Sequence, residues 1–173
     1  MRRAATLPPE TLGRLDYEEP PVGRSLKELA HDAMRWTPVS LVPPYVLGVP
    51  ISHHDLGSAV AGIESLVSSG EGGYVCLAPV HMIMEALDDP SFFDILVRAE
   101  AVLPDGMPLA WSLRAAGHQE TERVAGMDLT TAVLDLAQKQ GLAVGFHGGR
   151  PEVLERLLTL VRSRWPSVQI AYA

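Results

Sequence analysis

The chain has 173 residues, of which 47% are hydrophobic and 20% are charged, a balance typical of one globular domain with its own core. Its 14 basic and 21 acidic residues give a net charge of −7, which argues against nucleic-acid binding and against membrane docking through basic charge. The single cysteine excludes an intramolecular disulfide, and no apolar run reaches the 18 or so residues of a membrane span.

Residues 1–44 differ in composition from the rest of the chain. Seven prolines interrupt a charged stretch that has no sustained apolar period and no apolar core of a signal peptide. We interpret this stretch as a largely flexible, proline-rich arm with one short helix over 25–36. Residues 45–173 are predicted to form the folded domain.

From Tyr45 onward, apolar runs alternate with amphipathic segments. This alternation predicts an α/β, Rossmann-like layered fold, with a mostly parallel sheet flanked by helices. Asp55, Asp89 (before Pro90) and Asp128 are predicted N-caps, and Trp111 and Trp165 are predicted core residues. The predicted strands are 45–51, 74–78, 101–103, 142–147 and 168–172, and the predicted helices are 55–69, 80–87, 90–98, 108–116, 127–140 and 151–165.

Asp105 follows a predicted buried strand and precedes Gly106 and Pro108. In open α/β sheets, ligands bind at the carboxyl ends of the strands. Asp105 is therefore a candidate general base, although an N-cap would explain the same residue. Arg123 is a candidate anion clamp because a guanidinium binds phosphate through two parallel hydrogen bonds. The alternative for Arg123 is a surface ion pair with Glu120 or Glu122.

Three glycines stand at predicted strand–helix or loop–helix junctions, namely Gly126, Gly148 and Gly149. At such a junction the backbone N–H groups of a helix N-terminus can approach a phosphate, although ordinary tight turns explain glycines equally well. They do not form the glycine fingerprint of dinucleotide-dependent dehydrogenases. Neither His53-His54 nor Asp88-Asp89 has the arrangement expected of a metal site.

An ordered set of motifs from about Tyr45 to the last residue resembles the WecG/TagA/CpsF family of bacterial glycosyltransferases. Each motif is short, but together they occur in the family's order and at matching spacing. In chain order, they are Val46-Leu47-Gly48-Val49-Pro50-Ile51, Val80-His81-Met82-Ile83-Met84-Glu85-Ala86, Asp89-Pro90, Leu103-Pro104-Asp105-Gly106, Arg123-Val124-x-Gly126-x-Asp128-Leu129 and Gly148-Gly149-x-Pro151.

The resemblance implies an inverting, metal-independent transfer of an N-acetylmannosamine-type or related sugar from a UDP-sugar to a polyprenyl-diphosphate-linked sugar. Such transfers serve teichoic-acid, capsule and exopolysaccharide synthesis. The resemblance also implies a cytoplasmic protein with peripheral contact at the inner face of the membrane. Self-association is a further expectation. Asp105 would be the catalytic base, no cofactor is expected, and the residues expected to bind substrate are Gly106, Arg123, Gly126, Gly148 and Gly149.

The chain also departs from the family. Many members have Thr-x-Asn where this chain has Leu77 and Pro79, and Pro79 cannot donate a hydrogen bond. His81 is expected to supply a polar contact with substrate nearby, although an ordinary histidine is the alternative. Family members continue beyond the position of Ala173, with a Pro-Lys-Gln-Glu-like motif and in some cases a membrane-binding tail. A rival hypothesis is therefore an inactive, shortened homologue that binds a nucleotide sugar or assembles with proteins.

Overall fold

The computed structural model describes residues 43–52, 55–70 and 72–173. The first 42 residues of the predicted arm, including its helix over 25–36, lie outside the described residues, as do His53 and His54. The described strands are β1 (Tyr45–Val46), β2 (Val49–Pro50), β3 (Val75–Ala78), β4 (Ala101–Pro104), β5 (Ala143–Gly145) and β6 (Gln169–Tyr172). The described helices are α1 (Leu56–Ser69), α2 (Val80–Asp88), α3 (Pro90–Val97), α4 (Met107–Ala115), α5 (Gly126–Gln140) and α6 (Pro151–Arg164).

The first predicted strand, 45–51, is instead a hairpin. β1 and β2 are antiparallel, with Val46 opposite Val49. The two residues between them have positive φ, 52° at Leu47 and 86° at Gly48, as a two-residue turn between twisted strands requires. The single-strand prediction was wrong because the apolar side chains continue through a turn that only the glycine marks.

β3 and β4 form a parallel pair at the centre of the described fold, in a register that places Cys76 opposite Val102 and Ala78 opposite Pro104. Because side chains of a strand alternate between its two faces, one face contributes Ala78 and Val102 to a cluster with α2, α3 and α4. The other face contributes Ala101 and Leu103 to a cluster with α1 and α5. Helices therefore cover both faces, which confirms the predicted α/β layered class.

β5 and β6 form a second parallel pair, with Val144 opposite Ile170 and an irregularity between Val144 and Gly145. The described strands thus form three two-stranded pairs. The second parallel pair packs on α5 and α6 through a cluster centred on Leu134, Val161 and Trp165. Trp165 is buried, as predicted, and its Nε1 donates to Asp135 Oδ1 at 2.6 Å.

The predicted caps of α1 and α3 are confirmed. Asp55 accepts a hydrogen bond from the Ser58 backbone, and Ser58 in turn caps the Asp55 backbone. Asp89 accepts from the Ser91 and Phe92 backbone N–H groups, ahead of Pro90. The Ser91 side chain and these backbone groups lower the pKa of the Asp89 carboxyl. Each cap satisfies amide donors that a helix start leaves unpaired, so local sequence fixes these two helix starts.

Candidate active site at the end of the central strands

Three segments meet at the carboxyl end of the β3–β4 pair. Asp105, the residue after β4, donates its backbone N–H to the carbonyl of Ala78 at 3.1 Å. The extended residues before α5 lie beside β4, where the Val124 N–H donates to the Pro104 carbonyl at 3.0 Å. The ends of β3, β4 and the segment before α5 are therefore held together by backbone hydrogen bonds. This is the crevice in which α/β sheets bind ligands.

Asp105 and Arg123 form an ion pair in this crevice. Arg123 Nε lies 3.7 Å from Asp105 Oδ1, with the side chains 47% and 30% exposed, respectively. A pair this exposed contributes at most about 1 kcal/mol to stability, so it costs little to open it for a ligand. The structure thus brings together the acid and the guanidinium that the sequence singled out. The partner of Arg123 in this pair is Asp105, not Glu120 or Glu122.

Asp105 does not cap α4, so the alternative interpretation of this residue was wrong. α4 begins at Met107, its N-cap residue is Gly106, and among the described residues no side chain makes a cap hydrogen bond there. Gly106 has a φ of 171°, an extended conformation that separates Asp105 from the helix start. The Asp105 carboxylate therefore faces Arg123 instead of the amides of α4.

Asp128 is not an N-cap either. α5 begins at Gly126, two residues earlier than Asp128, and the described residues place no side-chain cap on Ala125 at its start. The prediction failed because the Val124–Pro104 hydrogen bond fixes where the extended segment ends and the helix begins. Asp128 instead lies in the first turn, where a carboxylate is favoured by the helix dipole.

The N-terminus of α5 adjoins the Asp105 carboxylate. A Cβ added to Gly126 would lie 3.7 Å from Asp105 Oδ2 and 3.4 Å from Leu77 Cδ1. The first-turn N–H groups of a helix have no partner within the helix, and they attract anions. One small region thus combines a carboxylate, a guanidinium and a helix N-terminus, which can accept a proton and bind a phosphate.

Arg114 holds the segment that carries Arg123, a feature that the sequence does not signal. Its Nε donates to the Thr121 carbonyl at 2.7 Å, and its own carbonyl accepts from Gln119 Nε2 at 2.8 Å. Thr121 is fully buried, and its hydroxyl lacks a hydrogen-bond partner within the described chain. The segment is therefore fixed at Thr121 by α4 and at Val124 by β4, with Arg123 between the two anchors.

We expect Arg114→Ala to lower the free energy of unfolding by about 1–3 kcal/mol, because a buried carbonyl loses a charged donor. Amide hydrogen exchange should also accelerate at residues 121–124, measured by mass spectrometry. Thr121→Val is the matched control, since it removes only a hydroxyl that has no partner among the described residues and should be neutral or stabilising. Unchanged exchange in Arg114→Ala would contradict the anchoring role.

His81 and the Pro79 departure lie on the β3 side of the crevice. Pro79 is the N-cap residue of α2, and His81 is exposed in the first turn of that helix. The Asp105–Ala78 hydrogen bond places this helix start at the same sheet edge as Asp105. The role of His81 in substrate binding stays a prediction.

Gly148 and Gly149 follow the second parallel strand pair, between β5 and α6. Their φ angles are 94° and 79°, in the left-handed region that favours glycine. A Cβ on either would meet open space, so their backbone is accessible ahead of Pro151, the first residue of α6. Among the predicted phosphate-binding glycines, Gly126 adjoins Asp105, and the glycine turn of Gly148 and Gly149 follows β5.

Among the described residues, no group of three or more His, Cys, Asp or Glu residues could hold a metal ion. No helix in the same part of the chain has the length and apolar character needed to cross a bilayer.

The comparisons with known proteins all indicate the same family. A sequence model of the Glycosyl transferase WecG/TagA/CpsF family matches residues 44–173. Two relatives both carry the name N-acetylglucosaminyldiphosphoundecaprenol N-acetyl-beta-D-mannosaminyltransferase. The one from Bacillus spizizenii is 28% identical over 118 residues, which are 68% of this chain and 46% of that protein. The one from Bacillus subtilis is 23% identical over 124 residues, 71% of this chain and 48% of that protein.

The chain therefore spans about half the length of the curated relatives it matches. The family match nevertheless includes every strand and helix described above and both predicted phosphate-binding turns. On this evidence the chain belongs to the WecG/TagA/CpsF family of glycosyl transferases.

Proposed function

We propose that this chain transfers an N-acetylmannosamine-type or related sugar from a UDP-sugar to a polyprenyl-diphosphate-linked sugar, with inversion at the anomeric carbon. The relatives' names support a polyprenyl-linked acceptor carrying N-acetylglucosamine. The reaction would contribute to cell-wall or cell-surface polymer synthesis, in the cytoplasm and at the inner face of the membrane.

The observation that carries the proposal is the Asp105–Arg123 pair beside the N-terminus of α5. In an inverting transfer, a single base accepts the proton of the attacking hydroxyl. The acceptor oxygen then bonds to the anomeric carbon as the bond from that carbon to the diphosphate oxygen breaks, and UDP leaves with the bonding electron pair. Asp105 has the chemistry and the position for the base.

Arg123 and the Gly126 N-terminus of α5 would bind the departing diphosphate. Negative charge builds on the leaving group in the transition state, and fixed donors aimed at that charge lower the barrier. Arg123 Nε is 3.7 Å from Asp105 Oδ1, and its long side chain would leave this pair to reach the diphosphate on the face of the sugar opposite the base. The turn at Gly148–Gly149 would hold another part of the donor, His81 and Gly106 would contact substrate, and no metal is required.

The rival hypothesis is an inactive homologue that binds nucleotide sugars or assembles with proteins. It is favoured by Pro79, which stands where the family resemblance implies an amide side chain and which cannot donate a hydrogen bond. Two experiments separate the hypotheses. Calorimetry with UDP tests the donor site, and incubation with a UDP-sugar and the lipid-linked acceptor, followed by chromatography of the products, tests transfer.

Saturable UDP binding together with formation of a disaccharide–lipid product of inverted configuration is the expected result. UDP binding without transfer would favour the inactive binding module. A folded protein that does not bind UDP would contradict both the enzyme and the nucleotide-sugar-binding version of its rival. It would leave protein assembly as the function to test.

Gly126→Ala is a steric probe of this site. The new methyl group would lie 3.7 Å from Asp105 Oδ2, in the space that a ligand of α5 and Asp105 must enter. Alanine is at least as good a helix former as glycine, so the fold should be unaffected. We expect UDP affinity to fall about tenfold, equivalent to about 1.4 kcal/mol, by calorimetry. Gly57→Ala, in the first turn of α1, is the matched control and should leave UDP affinity unchanged.

A further inference from the structure

Five large apolar side chains are exposed on the first two turns of the three helices that begin at the crevice, and we call them the apolar rim. Val80 is the first residue of α2, Met107 is the first residue of α4, and Met127 is the second residue of α5. Met84 and Trp111 follow one turn further along α2 and α4. Trp111 was predicted to be a core residue but is 59% exposed, and Met127 is 77% exposed.

The first residues of the rim lie at the same sheet edge as Asp105, because α2, α4 and α5 all begin there. Met107 follows Asp105 by two residues. Met127 follows Gly126, which lies against Asp105 Oδ2. Val80 follows Ala78 by two residues, and the Ala78 carbonyl accepts the Asp105 N–H. A ligand that reaches Asp105 therefore lies close to the starts of these three helices.

The outward face of α4 carries no free charge. Its exposed residues are Met107, Pro108, Trp111, Ser112 and Ala115, and its one charged residue, Arg114, donates to the Thr121 carbonyl. A surface helix normally places charged or polar side chains on its outer face. α4 also packs in the same layer as α2, so the exposed apolar residues of the two helices belong to one side of the molecule.

We propose that the apolar rim binds the polyprenyl chain of the acceptor, an inference that rests on the proposed function. In such an acceptor, the reacting sugar is joined to the lipid through only a diphosphate. When the sugar hydroxyl reaches Asp105, the first isoprene units must therefore lie close to the crevice. The rim offers them apolar contacts at that position, and on α4 the exposed face carries no charged side chain.

The composition of the rim suits a lipid chain. Methionine side chains adapt to irregular apolar ligands, and tryptophan has a large apolar surface with one polar group that tolerates a wet boundary. The net charge of −7 opposes adsorption to an anionic bilayer surface. Binding of one polyprenyl chain is thus favoured over general contact with the membrane.

The test compares a double variant with a matched control. Met107→Gln with Trp111→Gln makes the α4 face polar without touching the core, since both side chains are exposed. Val153→Gln with Leu160→Gln changes two exposed apolar residues of α6, far along the chain from the crevice. Circular dichroism and thermal unfolding verify that both double variants are folded.

Flotation with neutral phosphatidylcholine vesicles, with and without polyprenyl diphosphate, measures binding. We expect the parent chain and the α6 control to bind only vesicles that contain polyprenyl diphosphate, and the α4 double variant to bind these about tenfold more weakly. Equal binding to plain vesicles would overturn the proposal in favour of general membrane contact. Unchanged binding by the α4 double variant would also overturn it.

A second copy of the chain is the other occupant to test. If sedimentation velocity shows a dimer that the α4 double variant dissociates, and lipid binding is unchanged, the rim is a self-association surface and the proposal is wrong. If the α4 double variant loses both the dimer and lipid binding, flotation is repeated at a concentration below that at which the parent dimer dissociates. Loss of lipid binding by the variant under those conditions supports the proposal.

This experiment can fail independently of the proposed function. Vesicle flotation requires neither UDP nor transfer, and UDP affinity by calorimetry should be equal in the parent chain and the α4 double variant. Where transfer is observed, the variant should raise KM about tenfold for the long-chain acceptor and leave KM unchanged for a short-chain, water-soluble analogue. An equal rise for both acceptors would assign the rim to the sugar and overturn the lipid assignment.

Discussion

Asp105→Asn is expected to reduce the transfer rate by roughly 10²–10⁴-fold, the usual contribution of a positioned general base. Asparagine has nearly the same shape, and the backbone hydrogen bond from residue 105 to Ala78 does not involve the side chain. The fold and UDP affinity should therefore persist, as checked by thermal unfolding and calorimetry. The rate is measured in single turnover with saturating acceptor, so that slow product release cannot hide the chemical step.

Asp88→Asn is the matched control, since Asp88 is an exposed aspartate at the end of α2, and it should leave the rate unchanged. Asp105→Glu is informative as well, because it keeps the carboxylate and displaces it by one methylene. We expect it to retain more activity than Asp105→Asn. A rate for Asp105→Asn within a factor of two or so of the parent rate would remove Asp105 from the catalytic role.

Arg123→Ala is expected to weaken UDP binding by about 10–100-fold, because a charge-assisted hydrogen bond contributes about 1.5–3 kcal/mol. The free energy of unfolding should change by less than about 1 kcal/mol, since the Asp105–Arg123 pair is partly exposed. Arg123→Lys should recover part of the affinity, because it restores the charge without the planar pair of donors. Affinities are measured by calorimetry at two salt concentrations.

Arg98 supplies a control of the same kind. It forms an exposed ion pair with Asp94, with Nη2 and Oδ2 3.6 Å apart, and Arg98→Ala should leave UDP affinity unaltered. Equal loss of affinity in both arginine variants would indicate a general effect of net charge. Full affinity in Arg123→Ala would show that the guanidinium does not bind the donor.

Much of the fold follows from the sequence because local chemistry decides it. Asp55 and the Asp89-Pro90 pair start helices through their own side chains and proline geometry, and these starts were predicted correctly. The start of α5 was not, because it depends on a backbone hydrogen bond between Val124 and the distant Pro104. Burial of Trp111 was also mispredicted. α4 is apolar on nearly all sides, so periodicity alone cannot tell which face meets the core.

The site shows the same division between local and tertiary information. Reasoning from strand ends brings Asp105 and Arg123 to one edge, and the structure places them 3.7 Å apart. The anchoring of the Arg123 segment by Arg114 has no sequence signal, since an arginine near a helix end is usually a solvated charge. The position of Gly148–Gly149 in a separate strand pair depends on which strands are neighbours, and strand adjacency is a tertiary property.

The separate packing of the β5–β6 pair has a consequence for local stability. Its cluster of Leu134, Val161 and Trp165 is distinct from the two clusters around β3 and β4, and α5 contributes to both regions through Leu129 and Leu134. Proteins open in cooperative units that follow such boundaries. In native-state hydrogen exchange, β5, β6 and α6 should therefore open as one unit at lower free energy than β3 and β4. The glycine turn would then belong to a part of the molecule that can rearrange while Asp105 and Arg123 stay in place.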